Sequence, residues 1–423
     1  MRVLIVGAGG REHALVWKLR QGQTPVQVYA APGNPGIDSL VRCLPIDSTD
    51  IVGLRKATEE LAIDLTVVGP EAPLAAGIVD AFRAGGVRIF GPTQAAAQIE
   101  SSKVFAKQLM ARHGIPTAPF EVFTNPADAV AYVRRLNRPQ VVKADGLAAG
   151  KGVIMCEDPV EAERAIIDLM VGRKFGEAGS RVVIEERLTG FEASILALVG
   201  PRGIVPLLPA RDYKRAYDGD QGPNTGGMGA IAPGAVPPAV AAEVVETILE
   251  PAVWAMEREG RPFTGVLYAG VMVTDSGPQV LEFNCRFGDP ETQAILPLLE
   301  SDLTEAMIDL LDGSTPSLRW RDGAAACIAL ASRGYPGRAE TGRPIFGLDN
   351  PGPALVFHAG TAESDGRIVT AGGRVLNVVA TGDTLEEAVD RAYSGVARIQ
   401  FEGMQFRRDI GRRAVSVAEE VTA

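Results

Sequence analysis

Short apolar runs alternate with segments of helical periodicity through the first hundred residues. The apolar runs predict buried strands at Val3–Val6, Val26–Ala30, Leu65–Val68 and Val87–Phe90. The periodic segments between them predict helices at Glu12–Leu19, Leu54–Leu61 and Leu74–Ala84. Strands that alternate with helices in this way are typical of a parallel, doubly wound sheet. We therefore predict a Rossmann-like α/β domain over residues 1–101.

The pattern changes after Phe90, and residues 102–313 are predicted to form a second domain. A helix over 94–113 leads into a smaller subdomain at about 115–190. Its predicted elements are strands at Phe120–Phe123, Gln140–Lys143, Val153–Met155 and Arg181–Glu186, and a helix over 127–136. The rest of the domain adds strands at Ile195–Val199, Gly265–Val273 and Val280–Phe287, and helices over 237–259 and 295–312. The last two strands are expected to pair through a turn at Asp275–Pro278.

The remaining residues, 314–423, are predicted to form a compact α+β domain. Its strands are expected at Ala324–Ala331, Ala354–His358 and Arg374–Ala380, with a helix at Thr384–Ala397. The segment contains few residue types that are typical of catalysis. The whole chain is thus predicted to be a multidomain protein of mixed α/β and α+β class.

Composition and charge narrow the functional classes. The chain has 423 residues, of which 46% are hydrophobic and 22% are charged, as in ordinary globular proteins. Its net charge of −10 argues against broad binding to nucleic acid or to an anionic membrane. The four cysteines are far apart and form no C-x-x-C motif, which disfavours a zinc site and a redox pair. Because the chain begins directly with a strand and has no membrane-length apolar run, we expect a cytoplasmic protein.

The predicted strand Val280–Phe287 carries an unusual polar face. Alternation places Glu282, Asn284 and Arg286 on one side, and Leu281, Phe283 and Cys285 on the other. The carboxylate and the amide oxygen are hard ligands that suit Mg²⁺, and the guanidinium suits phosphate or carboxylate. The alternative is a solvated polar face on an edge strand.

The first glycine-rich loop, Gly7–Arg11, does not match a dinucleotide fingerprint. G-x-G-x-x-G would require glycine at position 12, which is Glu12, and no acidic residue ends the second strand. Gly9 and Gly10 at a helix N-terminus, followed by Arg11, suit a single phosphate. A tight turn with a surface arginine is the alternative.

A second glycine-rich loop, Ala144–Gly152, joins two predicted strands. It is not a P-loop, because the glycine spacing is one residue short and Gly152 stands where Ser or Thr should follow Lys151. Such a loop can lie over phosphates, with Lys143 and Lys151 supplying positive charge. A plain hairpin is the alternative.

Two further segments have compositions that suit a site. Arg211–Ala230 is polar and rich in glycine, which favours an active-site loop for a small zwitterion or phosphate over a core segment. A disordered loop is the alternative. The turn at Leu188–Ser194 could offer backbone groups to an adenine edge and Glu192 to ribose hydroxyls, although surface charge is an equal alternative. No G-x-S-x-G element or Cys–His pair favours triad hydrolysis.

Five motifs in this order resemble the ATP-grasp superfamily and, more closely, the phosphoribosylamine–glycine ligase (glycinamide ribonucleotide synthetase) family. They are Gly7–Leu15, Gly69–Leu74, Lys143–Gly152, Gly222–Ala230 and Glu282–Glu291. The resemblance runs over essentially the full length. It implies an N-terminal substrate-binding domain, an ATP-grasp domain pair over 102–313 with a flap subdomain, and a small C-terminal domain.

The resemblance implies an ATP-dependent, C–N bond-forming ligase of de novo purine biosynthesis. Such an enzyme joins glycine to 5-phospho-β-D-ribosylamine through glycyl phosphate, and it releases ADP and phosphate. The implied cofactors are ATP and Mg²⁺, with Mn²⁺ as an alternative metal. The implied partners are small molecules, with no nucleic acid or membrane. A monomer is expected, with transient contact to neighbouring enzymes of the pathway.

The resemblance also assigns residues by role. It implies that the catalytic residues are Arg286, Lys143, Asp212 and Lys214. The implied ATP-binding residues are Lys103, Lys143, Gly146, Gly150, Lys151, Glu185, Glu186, Leu188 and Glu192. The implied substrate-binding residues are Gly9, Gly10, Arg11, Asn34, Glu71, Asn224, Thr225, Gly226 and Gly227. The implied metal ligands are Glu282 and Asn284.

The sequence departs from the wider superfamily at one place and leaves other functions open. The strand before the Glu282–Asn284 pair carries no carboxylate, so a second Mg²⁺ would be bound more weakly or would need other ligands, such as phosphates and water, with Asp289 or Glu291 as further candidates. The alternatives are another ATP-grasp carboxylate–amine ligase, a kinase or carboxylase component with a different acceptor, and a regulatory nucleotide-binding module. The last is disfavoured because nucleotide binding alone does not need the lysine, metal and arginine set.

Overall fold

The N-terminal region folds as a parallel sheet because its apolar runs are buried on both faces. In the computed structural model, which describes residues 1–148, 152–234 and 236–412, the order is β3-β2-β1-β4-β5. The strands are β1 (Arg2–Gly7), β2 (Gln27–Pro32), β3 (Arg42–Cys43), β4 (Leu65–Val68) and β5 (Ile89–Phe90). The helices are α1 (Gly10–Leu19), α2 (Pro35–Asp38), α3 (Ile51–Glu60), α4 (Glu71–Ala75) and α5 (Ile78–Ala84). The predicted doubly wound pattern is confirmed at the level of strands and helices.

Two predicted helices are interrupted for local reasons. The single helix expected at Leu74–Ala84 is wrong, because Gly77 has φ +88° and separates α4 from α5. The helix expected over 94–113 is divided into α6 (Gln98–Ser101) and α7 (Lys103–His113). The break lies at Ser102, whose hydroxyl accepts a hydrogen bond from the Phe105 N–H (3.1 Å) as the N-cap of α7.

The next segment forms a four-stranded antiparallel sheet in the order β6-β9-β7-β8. Its strands are β6 (Phe120–Phe123), β7 (Gln140–Ala144), β8 (Val153–Cys156) and β9 (Val182–Glu186). Helices α8 (Pro126–Leu136) and α9 (Pro159–Ile166) bury alanine and branched apolar residues against the sheet. A π-helical turn at Ile167–Val171 and a 3₁₀ turn at Gly176–Gly179 complete this unit.

A second antiparallel sheet, in the order β11-β10-β16-β17, provides the wall of the main cavity. Its strands are β10 (Phe191–Gly200), β11 (Gly203–Pro206), β16 (Gly265–Thr274) and β17 (Gly277–Asn284). Between β11 and β16 lie β12 (Arg211–Asp212), β13 (Arg215–Tyr217), β14 (Gln221–Asn224), β15 (Gly229–Ala232), α10 (Pro238–Val244), a π-helical turn (Val245–Leu249) and α11 (Glu250–Arg258). The predicted pairing of the last two strands is confirmed.

Strict alternation along Val280–Phe287 is wrong. Val280 pairs with Val271 and Glu282 pairs with Gly270, so Leu281 is an extra residue in a β-bulge. The bulge places Val280, rather than Leu281, in the core with Phe283 and Cys285. The helix expected over 295–312 is also wrong. Instead of one helix, the structure has α12 (Glu291–Ile295), a 3₁₀ turn at Leu296–Leu298 and α13 (Leu303–Leu311).

The C-terminal sheet combines strands from two distant parts of the chain, in the order β12-β15-β18-β22-β19. Its remaining strands are β18 (Ala324–Ala331), β19 (Leu355–His358) and β22 (Arg374–Gly382). A separate hairpin of β20 (Thr361–Ser364) and β21 (Arg367–Thr370) was not predicted. Helix α14 (Leu385–Val396) buries Ala388, Ala392 and Val396 at helical spacing against the sheet. Within the described residues, no helix has the length and apolar character needed to cross a membrane.

The N-terminal and C-terminal regions meet at α1 and β19. The His13 Nδ1 atom accepts a hydrogen bond from the His358 N–H (2.8 Å), and Phe357 packs edge-on against the His13 ring. The Asn34 amide group donates to the carbonyl oxygens of Ala8 (2.7 Å) and His358 (2.9 Å) and accepts from the Ile37 N–H (3.0 Å). Asn34 therefore caps α2 and joins the two regions.

We predict that Asn34→Ala lowers the free energy of unfolding by about 1–3 kcal/mol, because it leaves buried backbone groups without partners. Asn125→Ala is the matched control, since Asn125 caps α8 at the surface and accepts only the Ala127 N–H. It should cost about 1 kcal/mol or less. Denaturant titration of both variants measures the difference, and an equal loss would contradict the joining role of Asn34.

Candidate active site

A cavity of about 410 Å³ lies where the N-terminal region, both antiparallel sheets and β22 meet. Most of the residues that the sequence assigned to a site line it. They are Arg11, Glu71, Lys103, Lys143, Gly146, Glu185, Glu186, Leu188, Glu192, Asp212, Lys214, Asn224, Thr225, Gly226, Glu282, Asn284 and Arg286. A polar cavity built from segments this far apart in the chain is typical of an enzyme site.

The end of β17 presents oxygen atoms to the cavity. Glu282 and Asn284 stand two residues apart on the same side of the strand, after the bulge at Leu281. Burial alone would raise the pKa of Glu282, but the cations of Lys214, Lys103 and Lys143 lower it to about 2. The side chain is therefore ionised at neutral pH. A carboxylate next to an amide oxygen fits Mg²⁺.

These two side chains cannot hold a metal ion alone. Among the residues that the structure describes, no cluster of three or more His, Cys, Asp or Glu side chains could bind one. Glu291, which the sequence left as a ligand for a second ion, instead accepts a hydrogen bond from the Tyr268 hydroxyl (2.8 Å). A metal ion here would take its other ligands from phosphate groups and water.

Arg286 is held between two carboxylates that come from the N-terminal side of the cavity. Its Nε atom lies 3.3 Å from Glu71, and its Nη2 atom lies 3.3 Å from Glu100. Burial would lower the pKa of Arg286, but Glu100 and Glu71 raise it, so the guanidinium stays charged. Glu100 also accepts the Cys285 N–H (2.7 Å) and thereby fixes the backbone beside Arg286.

Lys143 takes part in a buried group of three charges. The Glu185 carboxylate, 3% exposed, forms ion pairs with both Lys143 and Lys107. The Lys143 ammonium also donates to the Leu281 carbonyl (2.8 Å) at the bulge. Glu185 therefore pairs with two lysines while it also lines the cavity. Burial, together with the like charge of Lys143, lowers the pKa of Lys107 to about 8.

Lys103 differs from these lysines because its ammonium makes no ion pair within the described chain. It is the first residue of α7 and faces the same cavity. Gly146 lies on the opposite side, in the loop between β7 and β8. The predicted ATP-binding residues Gly150 and Lys151 lie outside the described residues.

One end of the cavity is apolar, which the sequence did not reveal because the contributing residues are scattered. The lining there is Val141, Val153, Met155, Leu188, Met272, Leu281 and Phe283. Glu186 stands at the rim and pairs with Arg138 (3.2 Å). Such a slot with carboxylates at its margin suits a flat heterocycle attached to a polar group.

The segment that follows β12 supplies a second group of charges. The Lys214 ammonium lies 3.1 Å from Glu192 and 4.0 Å from Glu282. Asp212 lines the cavity beside them, and burial, with Glu291, Glu192 and Glu282, raises its pKa to about 7 against the opposing effect of Lys214. Glu192, one of the predicted ATP-binding residues, is thus paired with Lys214.

The segment from Asn224 to Gly227 is fixed by hydrogen bonds to Lys214 and Tyr335. The Thr225 N–H (2.7 Å) and hydroxyl (2.8 Å) both donate to the Lys214 carbonyl, and the Gly226 N–H donates to the Tyr335 hydroxyl (2.9 Å). The predicted ordered loop is therefore present. Gly227 does not line the cavity.

Arg11, near the start of α1, lines the cavity, whereas Gly9 and Gly10 do not. Its guanidinium donates to Glu12 (2.6 Å) and to the Phe287 carbonyl (3.1 Å). Gly10 is packed against Asn377, since a Cβ at Gly10 would stand 2.1 Å from the Asn377 amide nitrogen. Asn34 is also absent from the lining, since its amide group joins α2 to β19.

Arg374 on β22 is a cavity residue that the sequence did not identify. Its Nη2 atom pairs with Asp289 (2.9 Å), and its Nη1 atom donates to the carbonyls of Asp289 (2.8 Å) and Gly227 (3.2 Å). Glu100 was also missed. Glu100 lies in a helix with no motif around it, and Arg374, although it follows Gly372 and Gly373, lies in a region that was assigned from the sequence to a domain with few catalytic residue types.

Family models cover most of the chain. Residues 1–100 match the phosphoribosylglycinamide synthetase N domain, 101–292 its ATP-grasp (A) domain, and 325–413 its C domain. Curated relatives named phosphoribosylamine–glycine ligase include one from Allochromatium vinosum, 50% identical over 98% of this chain and 99% of its own. Another, from Caldanaerobacter subterraneus, is 48% identical over 97% of this chain and 99% of its own.

Solved structures agree with these matches. The phosphoribosylamine–glycine ligase of Thermotoga maritima superimposes with a TM-score of 0.84 at 37% identity, and covers 97% of this chain and 100% of that chain. A biotin carboxylase domain of Hydrogenobacter thermophilus, in complex with MgADP, has a TM-score of 0.75 at 16% identity over 96% of this chain and 91% of that chain. The second likeness concerns the fold alone. The predicted fold class is confirmed.

We predict that Asp212→Asn stabilises the protein, and does so more at pH 8 than at pH 4.5. The folded pKa of Asp212 lies above its ordinary value of 3.8, so its ionisation costs stability increasingly from about pH 4 to about pH 7 and fully above that. Removing this cost should contribute on the order of 1–2 kcal/mol at pH 8. Thermal unfolding of both proteins at the two pH values measures it. A pH-independent difference would contradict the raised pKa.

Proposed function

The chain belongs to the phosphoribosylglycinamide synthetase family, and we propose that it is the ADP-forming ligase that joins glycine to 5-phospho-β-D-ribosylamine. The product is glycinamide ribonucleotide, an intermediate of purine biosynthesis. One observation carries the proposal. The Glu282–Asn284 pair, Arg286 and Lys143 share a single cavity with Arg11 and Glu71 from the N-terminal region.

In the first step, a carboxylate oxygen of glycine attacks the γ-phosphorus of ATP, and ADP leaves. The adenine would lie in the apolar end of the cavity, and Lys103 and Lys143 would hold phosphate oxygens. Arg286 would stabilise the charge on the transferring phosphoryl group. A Mg²⁺ ion bound at Glu282 and Asn284 supplies charge neutralisation to the phosphates. Because the glycine carboxylate is already ionised, this step requires no general base.

In the second step, the amine nitrogen attacks the carbonyl carbon of glycyl phosphate. The bond from that carbon to the phosphate oxygen breaks, inorganic phosphate leaves with the electron pair, and the nitrogen loses a proton. Arg11 and Arg374 are the cations at this end of the cavity, where the phosphoribosyl group would lie. Glu71 and Asp289 would accept hydrogen bonds from ribose hydroxyls.

Glycine would lie beside the segment that follows β12. Asp212 suits its ammonium group, Lys214 suits the carboxylate or acyl phosphate, and the side-chain amide of Asn224 suits phosphate oxygens. These charges are held in place before any substrate binds. Such preorganisation is what stabilisation of a charged transition state requires.

Other features of the proposal come from the family resemblance. We infer that ATP is used with Mg²⁺, with Mn²⁺ as a substitute, and that the protein acts in the cytoplasm. We also infer a monomer that makes transient contact with neighbouring enzymes, because the amine substrate is labile. The alternative function is an ATP-grasp ligase or kinase with another acceptor.

We predict that ADP is released only when ATP, Mg²⁺, glycine and phosphoribosylamine generated in situ are all present. Product analysis should find the glycine adduct of the amine. Glu282→Ala is the control, and it should abolish release, which attributes the activity to this cavity. ADP release that does not depend on glycine or the amine would favour the alternative function.

We predict that Arg11→Met raises the KM for phosphoribosylamine by about tenfold or more and leaves the KM for ATP within about twofold, since Arg11 faces only the acceptor end. Arg88→Met is the matched control, because Arg88 pairs with Asp312 (2.5 Å) at the surface. It should change neither constant. An equal rise for ATP would contradict the acceptor assignment.

A further inference from the structure

The hairpin of β13 and β14 carries the proposed glycine site but has little support of its own. Lys214 immediately precedes β13, and Asn224 ends β14. The hairpin forms a separate two-stranded sheet whose register is irregular between Arg215 and Tyr217. A sheet of two strands is only marginally stable by itself. Contacts from elsewhere must therefore hold Lys214 in its position.

Besides Thr225, Glu192 and the pairing of β12 with β15, such contacts come from residues 407–411, which we call the C-terminal brace. The Arg408 N–H donates to Asp218 (2.7 Å), in the hairpin turn. The Gly219 N–H, in the same turn, donates in return to Asp409 (2.9 Å). The brace and the turn are thus joined reciprocally by backbone and side-chain groups.

Arg407 is the centre of the brace. Its side chain is 0% exposed, and its Nε and Nη2 atoms each lie 2.7 Å from the Asp409 carboxylate. Its Nη1 atom donates to Asp220 (2.7 Å) and to the Arg215 carbonyl (3.3 Å). Two-point pairing of a guanidinium with a carboxylate fixes orientation as well as distance.

The brace holds the residues on both sides of Lys214. Arg407 binds the carbonyl of Arg215, which follows Lys214, and its guanidinium lies 5.1 Å from the ring of Tyr213, which precedes it. The Tyr213 hydroxyl accepts the Gly411 N–H (3.0 Å). The backbone on both sides of Lys214 is therefore held by the brace.

We propose that Arg407 is a positioning residue that sets the place of Lys214, so that the C-terminal region controls the glycine site without touching substrate. The proposal rests on the function proposed above. Within the described residues, Arg407 forms its hydrogen bonds and ion pairs with Asp409, Asp220 and Arg215, and none of these lies on β7, β9 or β17, the strands that would bind the nucleotide. The effect of Arg407 should thus fall on glycine and spare ATP.

Three variants test the proposal. Arg407→Met should raise the KM for glycine by about tenfold or more, because small displacements of a binding group are costly, and should leave the KM for ATP within about twofold. Arg407→Lys should restore part of the loss. Asp220→Asn, at an exposed position with φ +56° that asparagine tolerates, should give a smaller rise without emptying a buried site.

The matched control is Arg343→Met, since Arg343 pairs with Glu402 (2.9 Å) at the surface of the same region. It should alter neither constant. Equal changes in both constants with Arg407→Met, or no change in either, would overturn the proposal.

Limited trypsin digestion provides a second test that needs no activity. Arg407→Met should speed cleavage after Lys214 and Arg215 severalfold, while the control variant should not. Unchanged cleavage would overturn the proposal. If the wild-type protein released no ADP in the presence of glycine and amine, the proposed function would fail, and digestion would still decide whether the brace holds the hairpin.

Discussion

The cavity depends on the two ion pairs that Arg286 forms with Glu71 and Glu100. Arg286 joins the segment just after β17 to the first residue of α4 and to α6, so it fixes the N-terminal region against the wall of the second antiparallel sheet. A buried guanidinium between two carboxylates is tolerable only while both partners remain in place. The same side chain faces the cavity, where it would meet the transferring phosphoryl group. In the proposed mechanism, the residue that assembles the cavity would therefore also stabilise the reacting phosphoryl group.

Three other cations of the cavity are also held by carboxylates. Lys143 is held by Glu185 and the Leu281 carbonyl, Lys214 by Glu192, and Arg374 by Asp289. Each cation is thus oriented before a ligand arrives, and little reorganisation remains for the reaction. The raised pKa of Asp212 reflects first its burial and then the carboxylates of Glu291, Glu192 and Glu282 around it.

The sequence was most informative where chemistry lies in one short segment. The Glu282–Asn284 pair and the loop at Asn224 could be recognised because polar residues interrupt apolar or glycine-rich runs. The bulge at Leu281 could not, because it depends on pairing with β16 rather than on the residue itself. The engagement of Glu185 with two lysines, and the position of Arg374, likewise follow from contacts between segments that are far apart in the chain. Sequence pattern reports local structure, and these features are tertiary.

Because other enzymes share this fold, the residues that select the acceptor substrate are expected at the edges of the cavity. Biotin carboxylases at 16% identity have the same overall fold, so the fold by itself does not select a substrate. The residues that could do so come from outside the two antiparallel sheets that enclose the apolar end. Arg11 and Glu71 come from the N-terminal region, and Arg374 comes from the C-terminal sheet. Since β12 and β22 belong to the same C-terminal sheet, Asp212 of the proposed glycine site and Arg374 of the proposed acceptor site are supported by one sheet. A change in the packing of the C-terminal region would therefore reach both substrates that form the new bond.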